Sequence, residues 1–276
     1  MRTIHALWLR NIRAFVREKI RLIFSIIFPF FFIFIFGAIF RNEFIDNPIT
    51  YMLAGIVIAT VLDFSLRISS STIDDIVSGF MKEVLVSPVP RISIAAGQFI
   101  SSATIATMQG LIILVIGFFI GFRVTSPFTL VYVLLAMAFI GLVFAGFGLF
   151  IAAATRNTQT FEVVLMAITM PMTFISGAYI PFSLLPPALV YVGYFNPMTY
   201  AVALFRTIAL EKTHLSAVEL INEELAFEIG TVVITPLIAF VILAVFGVLF
   251  LTLSTLTFLK LDFSRINRNR NDSIDW

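Results

Sequence analysis

The sequence has no cysteine and only two histidines, His5 and His214, among its 276 residues. Disulfides, thiolate chemistry and cysteine-ligated metals are therefore excluded, and a metal site built from two distant histidines is not expected. The chain also lacks a GxxxxGK(S/T) phosphate loop and a GxGxxG turn, the usual nucleotide-binding motifs. No Ser-His-Asp or Cys-His set can be assembled from what remains. These absences predict a chain that is not an enzyme and that binds neither a metal nor a cofactor itself.

Charged residues are scarce as well, because they make up 12% of the chain while hydrophobic residues make up 60%. Soluble domains carry about 25% charged residues, so the composition excludes a water-exposed globular fold. A helix needs about 20 apolar residues to cross roughly 30 Å of hydrocarbon. Six stretches meet this requirement, at residues 22–40, 49–69, 92–120, 128–153, 161–180 and 231–259. We therefore predict an all-α membrane protein in which residues 1–276 form one transmembrane domain with six spans.

Basic residues are concentrated at the two ends of the chain. The first segment carries Arg2, Arg10, Arg13, Arg17, Lys19 and Arg21, and the tail at residues 260–276 carries Lys260, Arg265, Arg268 and Arg270. Because Lys and Arg collect on cytoplasmic flanks, both termini are predicted to be cytoplasmic in a multi-pass protein of the cell (inner or plasma) membrane. The first apolar stretch is longer than a signal-peptide core of about 7–15 residues, so we expect it to be retained. No aqueous domain accompanies the basic ends, so nucleic acid is not an expected partner.

Residues 1–21 are predicted to form an amphipathic helix on the membrane surface. Apolar residues recur there at three- and four-residue spacing, opposite the arginines: Ile4, Leu7, Trp8, Ile12 and Phe15. A basic amphipathic helix with a tryptophan near its polar boundary is typical of the membrane interface. A merely solvated basic leader is the alternative.

The longest predicted cytoplasmic loop, residues 70–91, carries a helix signal of its own. Ser71 and Thr72 each precede an aspartate by three residues, as at the start of a capped helix. A short amphipathic helix should follow and stop at Pro88 and Pro90, because proline cannot continue a helix.

On the outer side, residues 181–230 contain an apolar stretch that could be mistaken for a seventh span. Pro186-Pro187 and Asn196-Pro197 interrupt it, and a seventh crossing would place the basic tail outside, against the charge rule. Two short re-entrant helices are predicted there instead.

Three ionisable side chains fall inside the predicted spans, toward their cytoplasmic ends. Asp63 and Arg67 are four residues apart on one helix face and are predicted to form an intramembrane ion pair. A proton relay is the alternative reading of this pair. Glu162 begins the fifth span, where the partial positive charge of a helix N-terminus favours a carboxylate.

Two sequence blocks carry a resemblance to a known family. The first is Lys82-Glu83-Val84-Leu85-Val86-Ser87-Pro88-Val89-Pro90-Arg91. The second comprises Ser176-Gly177-Ala178-Tyr179-Ile180-Pro181, Leu185-Pro186, Asn196-Pro197-Met198-Thr199-Tyr200 and Arg206. Together with six spans and a basic leading helix, they resemble the type 2 ATP-binding-cassette (ABC) permeases, most clearly the drug- and antibiotic-export branch.

The resemblance implies a permease subunit that works in the lipid membrane with a separate cytoplasmic ABC ATPase and a second permease copy, identical or different. ATP and Mg would be bound by the ATPase and not by this chain. The cytoplasmic loop would contact the ATPase through Phe80, Met81, Lys82, Glu83, Val84, Leu85, Val86, Ser87 and Pro88. An outer-gate motif would comprise Ser176, Gly177, Pro181, Pro186, Asn196, Pro197, Tyr200 and Arg206.

In such a permease the substrate would move along the seam between the two copies, lined by the second and fifth spans. Few fixed charges are expected to face that seam, so an amphiphilic, drug-like or lipid- or glycan-linked cargo is expected over a small ion. Two alternatives stay open. One is an ion-coupled secondary transporter acting without an ATPase, a class in which internal repeats are common. The other is a structural or signalling membrane component without cargo.

Overall fold

We describe residues 2–39, 48–77, 90–155 and 157–260 in a computed structural model of the chain. The first half contains helices α1 Arg2–Arg17, α2 Lys19–Ile39, α3 Pro48–Arg67, α4 Ser70–Val77, α5 Arg91–Ile120 and α6 Pro127–Thr155. The second half contains α7 Thr158–Ile175, a 3-10 turn at Phe182–Leu184, α8 Pro187–Tyr194, α9 Pro197–Ala209, α10 Ala217–Asn222, strands β1 Phe227–Ile229 and β2 Val232–Ile234, and α11 Pro236–Lys260.

Five described helical stretches are long and apolar enough to cross a membrane. They are Ile49–Asp75, Ile92–Ile120, Pro127–Thr155, Thr158–Ile175 and Pro236–Thr257. The apolar pair α8 and α9 is bent by 86° and would be a sixth if the pair were one broken span. The apolar part of α2, Leu22–Ile35, is shorter than these five stretches. The predicted helical membrane architecture is therefore confirmed, with five to six candidate spans among the described residues.

The centre of the bundle is α3. Its apolar window is 83% buried, compared with 22% for that of α7, because α3 packs against α2, α5, α6, α7 and α9. A Cβ atom at Gly148 of α6 would lie 2.8 Å from the Leu66 carbonyl oxygen. The missing side chain therefore lets α6 lie directly on α3, as small residues do where lipid offers no hydrophobic driving force for helix association.

Helix α6 joins two further long helices to this centre. A Cβ atom at Gly141 would lie 3.2 Å from Ala103 Cα on α5, and the Ser65 hydroxyl of α3 donates a hydrogen bond to the Gly141 carbonyl oxygen. On another face, Phe147 stacks on Phe250 of α11 with ring centroids 4.6 Å apart. The helices are thus held by close backbone contact toward α5, and by aromatic packing together with close backbone contact at Gly146 toward α11.

Helix α1 covers most of the predicted interfacial segment and packs against α5. Leu7 and Asn11 are buried on this face. Asn11 Nδ2 donates to Gln98 Oε1 at 2.8 Å, and Trp8 Nε1 donates to Thr104 Oγ1 at 3.1 Å. One face of α1 is therefore engaged in protein contacts, and its position in the membrane interface stays a prediction.

The segment predicted to be the cytoplasmic loop, residues 70–91, differs from its prediction in the part that the structure describes. Because α4 begins at Ser70, Ser71 and Thr72 lie within the helix and do not cap it. The Ser71 hydroxyl donates instead to the Ile68 carbonyl oxygen at 2.7 Å. Residues 78–89, which include all nine predicted ATPase contacts, lie outside the described residues, as does the tail at 261–276.

The segment between α10 and α11 contains a β-hairpin, so the all-α prediction is wrong in this detail. β1 and β2 pair antiparallel with Phe227 opposite Ile234, and Gly230 has a φ of 64° in the turn, a conformation that glycine adopts without steric cost. The last long helix consequently begins at Pro236, five residues after the predicted start of the sixth span at Thr231. Strands of three residues carry too little alternation to be separated from the apolar run that follows them.

Candidate transport cavity and outer motif

A cluster of three charges joins the end of α3 to the start of α7. Arg67 Nε lies 2.8 Å from Asp63 Oδ2, and Arg67 Nη1 lies 2.6 Å from Glu162 Oε2. Asp63 and Arg67 meet because residues four apart share one face of a helix. Glu162 is 95 positions away in the sequence and reaches the same guanidinium because α7 packs beside α3.

These charges are not sealed in the core. The side chains of Asp63, Arg67 and Glu162 are 36%, 35% and 42% exposed, respectively. Removing such charges from water carries a large desolvation cost, which the contacts of Arg67 with both carboxylates partly offset. Among the described residues, no group of three or more His, Asp or Glu side chains is placed to hold a metal ion.

The exposed side of the cluster faces a cavity of about 710 Å³ between α2, α3 and α7. Phe32 stacks on Tyr179 in its wall with ring centroids 5.0 Å apart, and the Phe174 ring lies 5.2 Å from Tyr179. The other large apolar side chains of the wall are Phe24, Phe28, Phe64, Met166 and Met170. A mostly apolar wall with a few convergent polar groups is typical of a small-molecule binding site.

Two further cavities, of about 800 and 510 Å³, lie around the start of α6. Glu211 lines the larger one, but its carboxylate accepts hydrogen bonds from the Thr125 and Ser126 amides, both at 3.0 Å. Hydrogen bonds from the Ser126 amide and the Thr129 and Thr125 hydroxyls lower the pKa of Glu211. Because this charge is used to hold the connection between α5 and α6, the 710 Å³ cavity is the better candidate for a transport path.

The expectation that few fixed charges face the seam between two permease copies stays a prediction, but fixed charges do line this cavity. Arg67 and Glu162 both line it, and they contact each other across the two helices. The sequence predicted that both residues lie at the cytoplasmic ends of spans. This was the only sequence signal that the two side chains could be close together. Their contact could not be predicted because nothing in the sequence says which spans are neighbours.

The predicted outer-gate motif is organised around Arg206, which is 2% exposed. Its Nη2 donates to the Gly177 carbonyl oxygen at 3.0 Å and to the Ala178 carbonyl oxygen at 3.3 Å. The guanidinium carbon lies 3.6 Å from the centre of the Tyr51 ring, a cation–π geometry. Gly55 leaves room for this contact, because a Cβ atom there would collide with the Ala178 carbonyl oxygen. The guanidinium therefore joins α3, α9 and the turn after α7.

Asn196 explains the sharp bend between α8 and α9. Its Oδ1 accepts a hydrogen bond from the Met198 amide at 3.0 Å and caps α9, while its Nδ2 donates to the Met172 carbonyl oxygen of α7 at 2.7 Å. Asparagine at the cap followed by proline at the first helical position is a strong helix start. Asn196 and Pro197 therefore begin α9 in a new direction and tie its start to α7.

The remaining residues of the motif lie in the same region. Tyr200 donates its hydroxyl to the Tyr194 carbonyl oxygen at 2.6 Å. Pro181 and Pro186 immediately precede the 3-10 turn and α8, and Ser176 ends α7. The structure thus brings the predicted outer-gate residues together, and their role as a gate stays a prediction.

At the other end of α3, helix α4 is tied to both α1 and α7. Arg10 donates from Nη1 and Nη2 to the two oxygens of Asp75 at 2.9 and 2.6 Å, a bidentate contact. Thr158 Oγ1 donates to Asp74 Oδ1 at 3.0 Å. Because α4 directly precedes residues 78–89, it links that segment to α7, the helix that carries Glu162. The sequence did not predict either contact.

Residues 2–210 match the model of the family described as ABC-2 type transporter. The chain belongs to the ABC-2 type transporter family. The match runs from α1 through α9 and so includes the charge cluster, the cavity and the outer motif. The chain is therefore a multi-pass membrane protein and the membrane subunit of an ABC transporter.

Individual relatives of this permease are distant in sequence. "Putative transport permease ycf38" of Cyanophora paradoxa is 26% identical over 194 residues, which cover 67% of each chain. "Inner membrane transport permease YadH" of Escherichia coli (strain K12) is 23% identical over 73% of this chain and 80% of that protein. "Probable multidrug ABC transporter permease YbhR" of the same organism is 26% identical over 59% of this chain and 42% of that protein.

Proposed function

We propose that this chain is the permease subunit of an ATP-driven ABC exporter that moves an amphiphilic, drug-like or lipid- or glycan-linked substrate. The observation that carries the proposal is the cavity of about 710 Å³, which has an aromatic wall and a charged end. An amphiphile has two halves that match these two surfaces, whereas a small ion needs rings of charged or carbonyl ligands. The name of YbhR, a probable multidrug permease, supports the drug-like class.

In this proposal ATP and Mg bind to a separate cytoplasmic ABC ATPase, and a second permease copy completes the transport path. Large apolar side chains of α2 and α7 beside the cavity are exposed, including Phe28, Met166 and Met170. These side chains support a flank that is open toward the second copy or toward lipid, from which an amphiphile would enter.

Coupling to the ATPase is assigned to residues 80–88, with Glu83 as the central contact. Helix α4 follows the cytoplasmic end of α3 and leads directly into this segment. A displacement of α4 would act on α1 through Arg10 and Asp75 and on α7 through Asp74. Since α7 carries Glu162, movement of α7 would change the charged end of the cavity and so link ATP hydrolysis to transport.

The proposal also assigns the orientation in the membrane. Both termini lie in the cytoplasm, α1 lies in the membrane interface, and α8 and α9 form a re-entrant pair that closes the outer end of the path. The buried Arg206, which joins α9 to α3 and to the turn after α7, supports a closed and rigid outer end.

The test is transport into vesicles that contain the full chain together with its ATPase. Fluorescent amphiphiles of different head-group charge should be moved only when ATP is hydrolysed. Glu83→Ala or Pro88→Ala should separate ATP hydrolysis from transport while membrane insertion is retained. Glu228→Ala, on an exposed position of β1, is the matched control and should transport as the unchanged chain does.

Two results would contradict the proposal. Transport that persists with ATP depleted and follows a proton gradient would favour the ion-coupled alternative. Normal transport by both Glu83→Ala and Pro88→Ala would remove the coupling role assigned to residues 80–88.

A further inference from the structure

The described side chains at the polar end of the cavity between α2, α3 and α7 have an unbalanced charge. Among the described residues that line it, the side chains charged at neutral pH are Asp63, Arg67 and Glu162. Two carboxylates against one guanidinium leave one net negative charge. Arg67 donates to both oxygens of Asp63, at 2.9 and 2.8 Å, and to Glu162 Oε2. Within the described part of the chain, Glu162 Oε1 accepts no hydrogen bond and stays available to a ligand.

The wall of the same cavity is suited to a cation as well. The rings of Phe28 and Phe32 are 5.2 Å apart, Phe32 stacks on Tyr179, and Tyr179 contacts Phe174. The faces of aromatic rings attract positive charge, and the attraction is stronger where water is partly excluded. An anionic head group, in contrast, would have to displace a carboxylate from Arg67 and would face both carboxylates.

We propose that this cavity selects amphiphiles that carry a single cationic head group. The positive centre lies beside Glu162 Oε1, and the apolar body lies along Phe28, Phe32 and Phe174. The assignment of these molecules as transported cargo rests on the proposed function, whereas the binding site itself does not.

The experiment uses two probes that have the same shape and opposite charge, tetraphenylphosphonium and tetraphenylborate. Binding of each is measured to the full chain in phosphatidylcholine nanodiscs, and empty nanodiscs provide the correction for partition into lipid. We expect saturable binding of tetraphenylphosphonium that tetraphenylborate does not displace. No ATPase is needed for this measurement.

Charge variants of the cavity separate a binding role from a merely structural one. Glu162→Gln keeps the shape of the side chain and removes the net negative charge. It should weaken tetraphenylphosphonium binding about ten-fold, because it removes the Coulomb attraction between one carboxylate and a positive centre that has no hydrogen-bond donor. Arg67→Gln makes the cavity more negative and should not weaken binding. A structural role would instead lower binding in both variants. Glu228→Gln, far from the cavity on β1, should bind as the unchanged chain does.

The outcomes distinguish this proposal from the exporter function. Absence of saturable tetraphenylphosphonium binding, equal affinity for both probes, or a parallel loss in Glu162→Gln and Arg67→Gln would overturn the cation site. If ATP-driven export of a neutral or anionic amphiphile is then observed, the exporter function stands without it. If the binding results are as expected but no probe is exported with ATP, the site stands and the exporter function fails.

Discussion

A single methyl group added at Gly55 should loosen the contact between α3 and the turn that follows α7. In the structure this glycine lies against the Ala178 carbonyl oxygen, and a Cβ atom there would also lie 2.7 Å from Arg206 Nη2. A backbone oxygen cannot rotate away as the end of a side chain can. In Gly55→Ala, α3 must therefore move back from the turn, and Arg206 must shift from its two carbonyl acceptors.

The change in the free energy of unfolding of Gly55→Ala follows from two opposing contributions. Overpacking of a filled core position costs about 1–3 kcal/mol, whereas alanine in place of glycine inside a helix gains about 0.5–1 kcal/mol. The clash involves backbone and a buried guanidinium, so the first term should dominate. We expect a net loss of about 1–2 kcal/mol in the free energy of unfolding, which corresponds to about 2–8 °C in Tm for a chain of this size.

Thermal unfolding of the purified full chain in mild detergent measures this loss, and Gly97→Ala is the matched control. Gly97 also lies inside a helix, but a Cβ atom there would lie 3.2 Å from Leu7 Cδ1 and 3.3 Å from Leu7 Cβ. A shift of a few tenths of an ångström relieves both contacts. The control should stay within about 1 kcal/mol of the unchanged chain. If Gly55→Ala unfolds at the same temperature as Gly97→Ala, the reasoning from close approach is refuted.

Three further predictions concern the polar contacts. Asn196→Ala should lower the free energy of unfolding by about 1–2 kcal/mol, because it removes the α9 cap and the donor to α7. Asn196→Ser keeps a capping oxygen without adding a charge and should lose less; equal Tm values for the two would contradict this. A double-mutant cycle on Arg10→Ala and Asp75→Asn should show a coupling energy of about 0.5–1 kcal/mol for this partly exposed pair, and strictly additive losses would show that the contact adds no stability. The lowered pKa of Glu211 means that its stabilising contribution is present above the unfolded pKa of about 4.3 and is lost as pH falls through the lower folded pKa. Hydrogen exchange at the Thr125 and Ser126 amides should therefore lose protection in acid, and the same pH profile in Glu211→Gln would exclude the carboxylate as the cause.

Helix positions were the most predictable part of the fold. The predicted stretches 92–120 and 128–153 agree closely with α5, Arg91–Ile120, and α6, Pro127–Thr155. This agreement has a physical reason, because a chain in a bilayer must satisfy its backbone within each helix and cover it with apolar side chains. The interruption at Asn196-Pro197 could also be predicted from the sequence, since proline and a capping asparagine determine the conformation of the local backbone.

Contacts between helices were much less predictable. Asp63 and Arg67 could be paired from their spacing alone, but the third member of the cluster could not, because Glu162 is distant in the sequence. The same holds for Arg206, whose partners are carbonyl oxygens and the Tyr51 ring. A sequence cannot show which carbonyl oxygen will accept a hydrogen bond from a side chain, since every residue has one. The β-hairpin was missed for a different reason, namely the shortness of its strands.

The sequence by itself therefore determined that this is a helical membrane protein, where its long helices lie, and which family it resembles, because those properties depend on local composition and short motifs. Only the tertiary structure decided that α3 is the central helix, that α7 brings a second carboxylate to Arg67, and that the charged cluster ends an aromatic cavity. These properties depend on which helix faces pack together. Such packing is set by the shapes of many side chains at once. It also depends on glycines, which have no side chain and so let two helices lie close together.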